Sequence, residues 1–378
     1  MPKKDFSFSQ LGTSGENLRG KVVLLRVDFN VPIKAGRVVN NYRILQSLPT
    51  ISYLSKSGAK TIIITHLGDR RQSTKPTALS LNKYIKTKFI SAWPSVQQIK
   101  KLSNGSVSVL ENLRHYSGEE KNTLTFAKSL ARLGDIYIND AFSASHRHHA
   151  SIVTLPSLLP SRAGFLFVKE YINLSKIFSA PAPFLLILGG AKFETKIPLV
   201  KKYLKQVDEI YIVGALAHVF YRKMGFEIGR SLVDKDIAGL TTILANKKIH
   251  LPVDLIVKTP TRTEVKLPEE IGHRDIIYDA GPNTIRKINQ SIKSAKTILW
   301  NGPLGNFEMG YDQGTKTIAK SVGQAKAYSV VGGGDTIASI AELKLGSKFG
   351  FVSTAGGAML DFLTTGTLPG IQALSQKK

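Results

Sequence analysis

The sequence predicts an α/β fold of two domains, each with a mainly parallel sheet flanked by helices, the two joined by an interdomain helix. Three observations carry this expectation. The chain has 378 residues, more than one ordinary hydrophobic core holds. Short runs rich in Val, Ile and Leu, mostly without alternation, recur along it, as strands buried on both faces do. Stretches with helical spacing lie between these runs, and strand–helix alternation builds parallel sheets.

In order, the candidate strands are Val22–Val27, Thr61–Thr65, Val107–Leu110 and Ile136–Ile138, then Phe184–Leu188, Ile210–Val213, Leu255–Val257, Thr297–Trp300, Tyr328–Val331 and Phe349–Val352. Ile197, Val200, Leu204 and Val207 are spaced for one helical face, and Pro198 suits a first turn. Phe165–Phe178 reads as one helix with no strand of its own before it, ending in "SAPAPF". It is the candidate connection, so residues 1–160 form a first domain, 161–183 the connecting helix and linker, and 184–357 a second domain.

Composition narrows the function. Apolar residues are 42% and charged residues 21%, ordinary for a globular protein. No apolar run approaches the roughly 18 residues of a membrane span, and the first residues lack the apolar core of a signal peptide. Cysteine is absent, which excludes disulfides, thiolate metal sites and a cysteine nucleophile, and suits a reducing cytoplasm. The net charge of +25 favours encounter with polyanions, either nucleic acid or a small phosphorylated metabolite. The lysines are scattered and not interleaved with aromatic stacking platforms, which argues against nucleic acid as the main partner.

Most candidate strands run directly into polar or glycine-rich residues: "DFNVP", "HLGDR", "ENLRH" and "NDAFSASHRHH" in the first half, and "GGAKFETK", "GALA", "GGGDT" and "STAGGA" in the second. In open parallel sheets ligands bind beyond the carboxyl ends of the strands, so each domain is expected to carry one binding rim. The first is rich in Arg26, Arg43, His66, Arg114, His146 and Arg147, groups that suit phosphate and carboxylate. The second is rich in glycine. In "VVGGGDTIASIAEL" the glycines separate a strand from a helix whose free N–H groups suit phosphate. Asp335 there can hold a divalent metal or can simply cap the helix. Lys192 and Lys196 can neutralise phosphate charge. The turns contain neither GxxxxGK[ST] nor GxGxxG, so a P-loop or dinucleotide fold loses support. The "HRHH" run fits no zinc spacing, and no GxSxG elbow is present.

"RVDFNVP", "NNYRI", "THLG", "LENLR", "NDAFSASHRHH", "LGGAKFETKI", "WNGPLGNFE", "GGGDT" and "STAGGA" occur in the order and approximate spacing of the phosphoglycerate kinase family. The chain resembles that family from residue 20 to about residue 370. The resemblance implies two α/β domains with a C-terminal segment, about 358–378, that returns to the first domain. It implies reversible phosphoryl transfer between 1,3-bisphosphoglycerate and Mg-ADP, giving 3-phosphoglycerate and Mg-ATP, with hinge-type domain closure. Asp28 and Asn30 match residues at the glycerate hydroxyl and carboxylate. Arg43, His66, Arg114 and Arg147 match the basic residues around it, and Arg43 also matches the arginine that stabilises the transferring group. Lys192 matches the lysine that follows that group, Lys196 a lysine on the nucleotide phosphates, Asn301 the nucleotide loop, Glu308 the ribose acid and Asp335 the magnesium ligand. Thr336 and the backbone of Gly334 are implied at the phosphates, with Gly356 and Gly357 near the phosphoryl path. The family also implies a cytoplasmic monomer.

Three departures stand out. "HLGDRR" places Asp69 where the family usually has arginine, leaving Arg70 or Arg71 to substitute. "VGALAH" reduces a glycine triplet to one glycine between Val213 and Ala215, so nucleotide affinity or base preference is expected to differ. Ala355 replaces a glycine in "STAGGA", acceptable if its φ is negative. A basic polyanion- or RNA-binding protein that has lost catalysis on the same fold is the alternative expectation.

Overall fold

The computed structural model describes residues 8–13, 15–234 and 240–375. The chain packs as two units, Met1–Ile172 with Thr365–Lys378, and Asn173–Thr364. The first contains β1 (Val22–Arg26), a short hairpin of β2 (Ile33–Lys34) and β3 (Arg37–Val38), then β4 (Lys60–Ile64), β5 (Thr87–Ile90), β6 (Val107–Leu110), β7 (Ile136–Asn139) and β8 (Ser161–Ala163). Six of these strands form one sheet in the order β5-β6-β4-β1-β7-β8, parallel throughout. Every residue of β1, β6 and β7 is buried. Val23, Leu25, Ile63, Val109 and Ile138 form the centre of the core on one face, with Ile44, Ile51 and Leu54 of the helix Tyr42–Lys56 packed on them. Burying each such side chain fully is worth about 1.5–3 kcal/mol.

The strand order reverses at β1, whose neighbours are β4 and β7. That reversal opens a crevice beyond the carboxyl ends of these strands. The C-terminal helix Pro369–Ser375 closes the loop behind β7, where Gly370 N–H donates to the Ser145 carbonyl at 2.9 Å.

The second unit contains β9 (Phe184–Leu188), β10 (Glu209–Ile212), β11 (Ile249–His250), β12 (Leu255–Lys258), β13 (Thr263–Lys266), β14 (Ile276–Ala280), β15 (Thr297–Asn301), β16 (Tyr328–Gly332) and β17 (Phe351–Val352). Its main sheet runs β11-β10-β9-β15-β16-β17 and is parallel throughout. The reversal here falls between β9 and β15. The wholly buried Trp300 anchors β15, and its indole N–H donates to the Gly302 carbonyl at 2.8 Å.

The structure departs from the sequence expectation at several elements. Leu255–Val257 does not join the parallel sheet. It lies at the centre of a separate antiparallel sheet, β13-β12-β14, because "TEVK" and "IIYDA" follow closely enough to pair back on it. The helix after residue 164 does follow a strand of its own, the three-residue β8. That helix spans Phe165–Ser175 and tightens into a 3-10 turn at Lys176–Ser179.

Candidate active site

In the first unit the polar residues converge on Asp28, in the loop after β1. Its Oδ2 accepts from Arg43 Nη1 at 2.5 Å and from the Ser143 hydroxyl at 2.5 Å. Its Oδ1 accepts from the Asn30 N–H at 3.0 Å. Segments far apart in sequence thus meet on one carboxylate: the β1 loop, the first turn of the helix Tyr42–Lys56 and the 3-10 turn Phe142–Ala144 after β7. Burial pushes the Asp28 carboxyl up, but the Arg43 guanidinium and the hydrogen bonds from Ser143 and Asn30 outweigh it and hold the group well below the usual carboxylate range. Asp28 therefore stays an anion at neutral pH and serves to fix Arg43.

His66 follows β4 and is almost fully buried. Arg26 Nη2 lies 3.2 Å from His66 Nδ1. A guanidinium only donates, so Nδ1 is the unprotonated nitrogen and Nε2 carries the hydrogen. Burial lowers the pKa of His66 well below its ordinary value. Asp28 opposes this, and Arg26, Arg114 and Arg147 lower it further. His66 is thus a neutral donor, and its 4.0 Å approach to Asp28 Oδ1 is not an ion pair.

Arg26 itself does not reach the rim. It is wholly buried, with Nε donating to Ser151 Oγ at 2.9 Å, and that hydroxyl donates to the buried Glu119 carboxylate at 2.6 Å. Arg26 is a strut beneath His66. Arg114, after β6, donates to the Gly68 carbonyl and lies 3.2 Å from Glu120. Gly68 N–H donates to Asn30 Oδ1 at 2.9 Å, which ties the "THLG" loop to the β1 loop. Arg147 Nε is buried with no hydrogen-bond partner among the described residues. Burial, with Arg114 second, pulls the Arg147 pKa down, as expected of a cation waiting for an anion.

At the other sheet the reversal between β9 and β15 is built from glycine. A Cβ on Gly189 would lie 2.1 Å from the Pro303 carbonyl oxygen, and one on Gly302 would lie 2.2 Å from the Gly189 oxygen. The two loops pass at a distance only glycine allows. They border a cavity of about 280 Å³. Leu232, Pro252, Leu255 and Ile277 give it apolar lining. Glu308, on the exposed 3-10 turn Phe307–Met309, lines it too, as do Gly190 and Asp335.

Lys196 stands beside Gly190 and near Asp335. It caps the helix Ile197–Tyr203, is 6% exposed and donates through Nζ to the Gly189 carbonyl. Burial pulls its pKa down to about 8, with Lys192 adding and Asp335 opposing. Lys192 itself is exposed. Asp335 and Gly334 are exposed in the first turn of the helix Gly334–Glu342, which Gly333 enters at φ 101°. Beside them the Thr336 hydroxyl is buried without a hydrogen-bond partner among the described residues, and the same holds for Asn301 Nδ2. Gly356 and Gly357 face open space at the head of the helix Gly357–Thr365. An exposed carboxylate among helix N–H groups, with lysines close by, is chemistry for a polyphosphate.

The family model for phosphoglycerate kinase matches residues 14–366. The chain belongs to that family. It is 40% identical to the phosphoglycerate kinase of Orientia tsutsugamushi over 390 residues, covering 95% of this chain and 96% of the relative. It is 41% identical to that of Coprothermobacter proteolyticus, covering 94% and 96%. Among solved structures, phosphoglycerate kinase from Pyrococcus horikoshii aligns with a TM-score of 0.88 at 32% identity, covering 97% of this chain and 98% of that one. The enzyme from Coxiella burnetii aligns at 0.81 and 34%, covering 98% and 99%. Nothing in these likenesses supports the alternative of a basic binding protein.

Within this family site, two of the departures cost the backbone nothing. In "VGALAH" the one retained glycine is the one the geometry needs. Gly214 sits at φ 62°, and a Cβ there would lie 2.9 Å from Gly190 N. Val213 and Ala215 have no positive φ, and neither does Ala355, whose neighbour Gly356 carries φ 54° instead. At the third departure, Asp69 is taken by Arg71, which it meets at the backbone N–H and at Nη2, both at 2.8 Å. Arg70 instead lies 3.6 Å from Glu120, the acid that Arg114 also meets.

The sequence reading passed over three site residues. Ser143 was inside a quoted motif but carried no signal apart from its fold. Asp279 accepts from Ala280 N–H and Gly314 N–H, and burial pushes it up to about 6. An acid just ahead of Gly281-Pro282 at a strand end was its signal. His218, buried in the cavity wall, followed the altered glycine turn.

Proposed function

We propose that this chain catalyses the phosphoglycerate kinase reaction. A carboxylate oxygen of 3-phosphoglycerate bonds to the γ-phosphorus of ATP as the bond to the β-phosphate oxygen breaks, giving 1,3-bisphosphoglycerate and ADP. The reverse makes ATP. No proton moves, so the site needs alignment and positive charge, not a strong base. The observation that carries this reading is the cavity at the β9/β15 reversal. Its lining offers apolar residues for a base, Glu308, and Asp335 with Lys196 as its neighbour.

The first unit is the proposed 3-phosphoglycerate-binding domain and the second the nucleotide-binding domain. Asp28 and Asn30 position the glycerate, His66 donates to it, and Arg43, Arg114 and Arg147 neutralise its anions. Arg70, beside Arg114, is the better substitute for the arginine lost at Asp69, since Arg71 is occupied. Lys192 and Arg43 stabilise the transferring group. Lys196, Asn301, Thr336 and the Gly334 backbone hold nucleotide phosphates, Glu308 holds the ribose, and Gly356 and Gly357 border the phosphoryl path. The exposed Asp335 and the unsatisfied Thr336 hydroxyl suit Mg²⁺ carried in with the nucleotide. That ion typically takes one or two carboxylates and completes its shell with phosphate and water. When bound, it would neutralise phosphate charge. In-line transfer also requires that the two substrates be brought together and water excluded.

No helix among the described residues is long and apolar enough to cross a membrane. The enzyme is proposed to act as a cytoplasmic monomer. A coupled assay of ATP-dependent phosphorylation of 3-phosphoglycerate tests the reaction. Lys192→Ala should lower kcat by about 10³-fold, the scale of losing a charge on a transferring phosphoryl group. Near-normal turnover in that variant would refute its role, and absence of turnover in the natural protein would refute the reaction.

A further inference from the structure

His218 lies in the helix Ala215–Lys223, one turn after Gly214, and lines the nucleotide cavity. It is 3% exposed. Its Nδ1 lies 2.6 Å from the Leu232 carbonyl oxygen. A backbone carbonyl only accepts, so Nδ1 must carry the hydrogen, and the neutral ring then presents Nε2 as a bare acceptor. Burial keeps the ring neutral by lowering its pKa, with the Leu232 carbonyl opposing. No protein group bonds Nε2 among the described residues. The same cavity wall carries the apolar Leu232, Pro252, Leu255 and Ile277, along with the polar Tyr278, Asp279 and Asn306.

A buried acceptor with its tautomer fixed, set beside apolar wall residues, is how a site orients and selects a flat heterocycle. We infer that His218 is the residue that selects the base, its Nε2 accepting a hydrogen bond from the exocyclic amino group of adenine. Inosine and guanosine nucleotides carry a carbonyl at the same ring position. There, two lone pairs would face each other, and a buried acceptor would lose its partner. Purine riboside nucleotides carry only hydrogen and leave Nε2 unpaired without repulsion. The inference rests on the proposed nucleotide role of this cavity. It concerns a side chain four residues past the altered turn, whose departures at Val213 and Ala215 leave the backbone intact.

Equilibrium binding tests it without requiring turnover. Calorimetric dissociation constants would be measured for ADP, IDP and purine riboside 5′-diphosphate, on the natural protein and on His218→Phe. The natural protein should bind ADP roughly tenfold more tightly than the purine riboside analogue, the worth of one satisfied buried hydrogen bond. IDP should bind more weakly still. In His218→Phe, ADP and the analogue should bind within about twofold of each other. Each ratio is taken within one protein sample, so a loss of folded material cancels. His218→Leu reads the same ratio if phenylalanine is not accommodated. A ratio near one in the natural protein, or the same preference in both variants, would overturn the assignment. ADP binding with no phosphoryl transfer would refute the proposed reaction while leaving base selection readable. Turnover with no ADP preference would refute base selection alone.

Discussion

Lys196 offers the sharpest quantitative test of the nucleotide site. Its ammonium is buried against the Gly189 carbonyl, and its pKa is pulled down from 10.5 to about 8. If phosphate binds only the protonated form, the apparent dissociation constant scales as 1 + 10^(pH − pKa). With a pKa of about 8 the factor is about 1.3 at pH 7.5, about 11 at pH 9 and about 33 at pH 9.5. A lysine at 10.5 would give only about 1.1 even at pH 9.5. ADP is fully ionised over this range, since a phosphate second pKa is about 6. The natural protein should therefore lose about 25-fold in ADP affinity between pH 7.5 and 9.5.

Calorimetry with ADP in EDTA measures this without a competing cation. Lys196→Arg should show a nearly flat profile, because guanidinium does not titrate there. Lys196→Met should bind weakly at every pH. A profile flat within twofold in the natural protein would refute the depressed lysine, and a slope that survives in Lys196→Met would assign it elsewhere. The ligand-free protein carries the opposite sign. The native state sheds this proton near 8 and the unfolded state near 10.5, so the unfolded chain binds more protons between them, and stability rises with pH through that window. The contribution is on the order of 3 kcal/mol, read as the difference between the natural protein and Lys196→Met.

Three further outcomes follow from named contacts. Glu308→Ala should raise the nucleotide KM roughly tenfold or more, the cost of hydrogen bonds to a charged group, and leave the 3-phosphoglycerate KM nearly unchanged. Steady-state kinetics that moved both equally would remove Glu308 from the ribose. Gly302→Ala would place a Cβ 2.2 Å from the Gly189 oxygen at φ 97°. It should lower Tm by several degrees and abolish ADP binding, and a variant that still bound ADP normally would contradict the close passage of the two loops. Asp140 is buried and accepts from the Leu166 N–H at 2.9 Å at the head of the helix Phe165–Ser175. Burial pushes it up to about 7, against hydrogen bonds from Thr50, Phe167 and Leu166. Its stabilising share is complete below its unfolded pKa and lost as pH rises through 7. The stability of the natural protein relative to Asp140→Asn should fall by roughly 2–3 kcal/mol between pH 5 and pH 8 in urea titrations. An unchanged difference would show that the carboxyl titrates normally.

What could be read in advance depended on how many neighbours a residue needs to reveal its role. Strands such as β1, β6 and β9 were legible because burial on both faces demands a largely apolar run. β8 was missed because three residues containing Ser161 and Arg162 look like loop. β5 was missed because Thr87 and Lys88 mark an edge, where one face stays polar. β13 was missed because "TEVK" lacks the apolar–polar alternation of a one-sided strand: its one apolar residue, Val265, faces solvent while Glu264 and Lys266 are half-buried. Charged site residues were legible as types at strand ends, but their states were not. Whether Arg26 reaches a ligand is decided by Ser151 and Glu119, more than ninety residues away. Whether Lys196 holds its proton is decided by its burial first, then by the charges of Lys192 and Asp335. Glycine positions divide the same way. The loss of two from the "VGALAH" turn looked damaging in sequence. Yet within that turn Val213 and Ala215 have no positive φ, and the retained Gly214 is the residue that combines a positive φ with a neighbour that excludes a Cβ, so the turn keeps its shape. The side chain free to alter nucleotide choice is then the one the turn delivers to the cavity wall, His218.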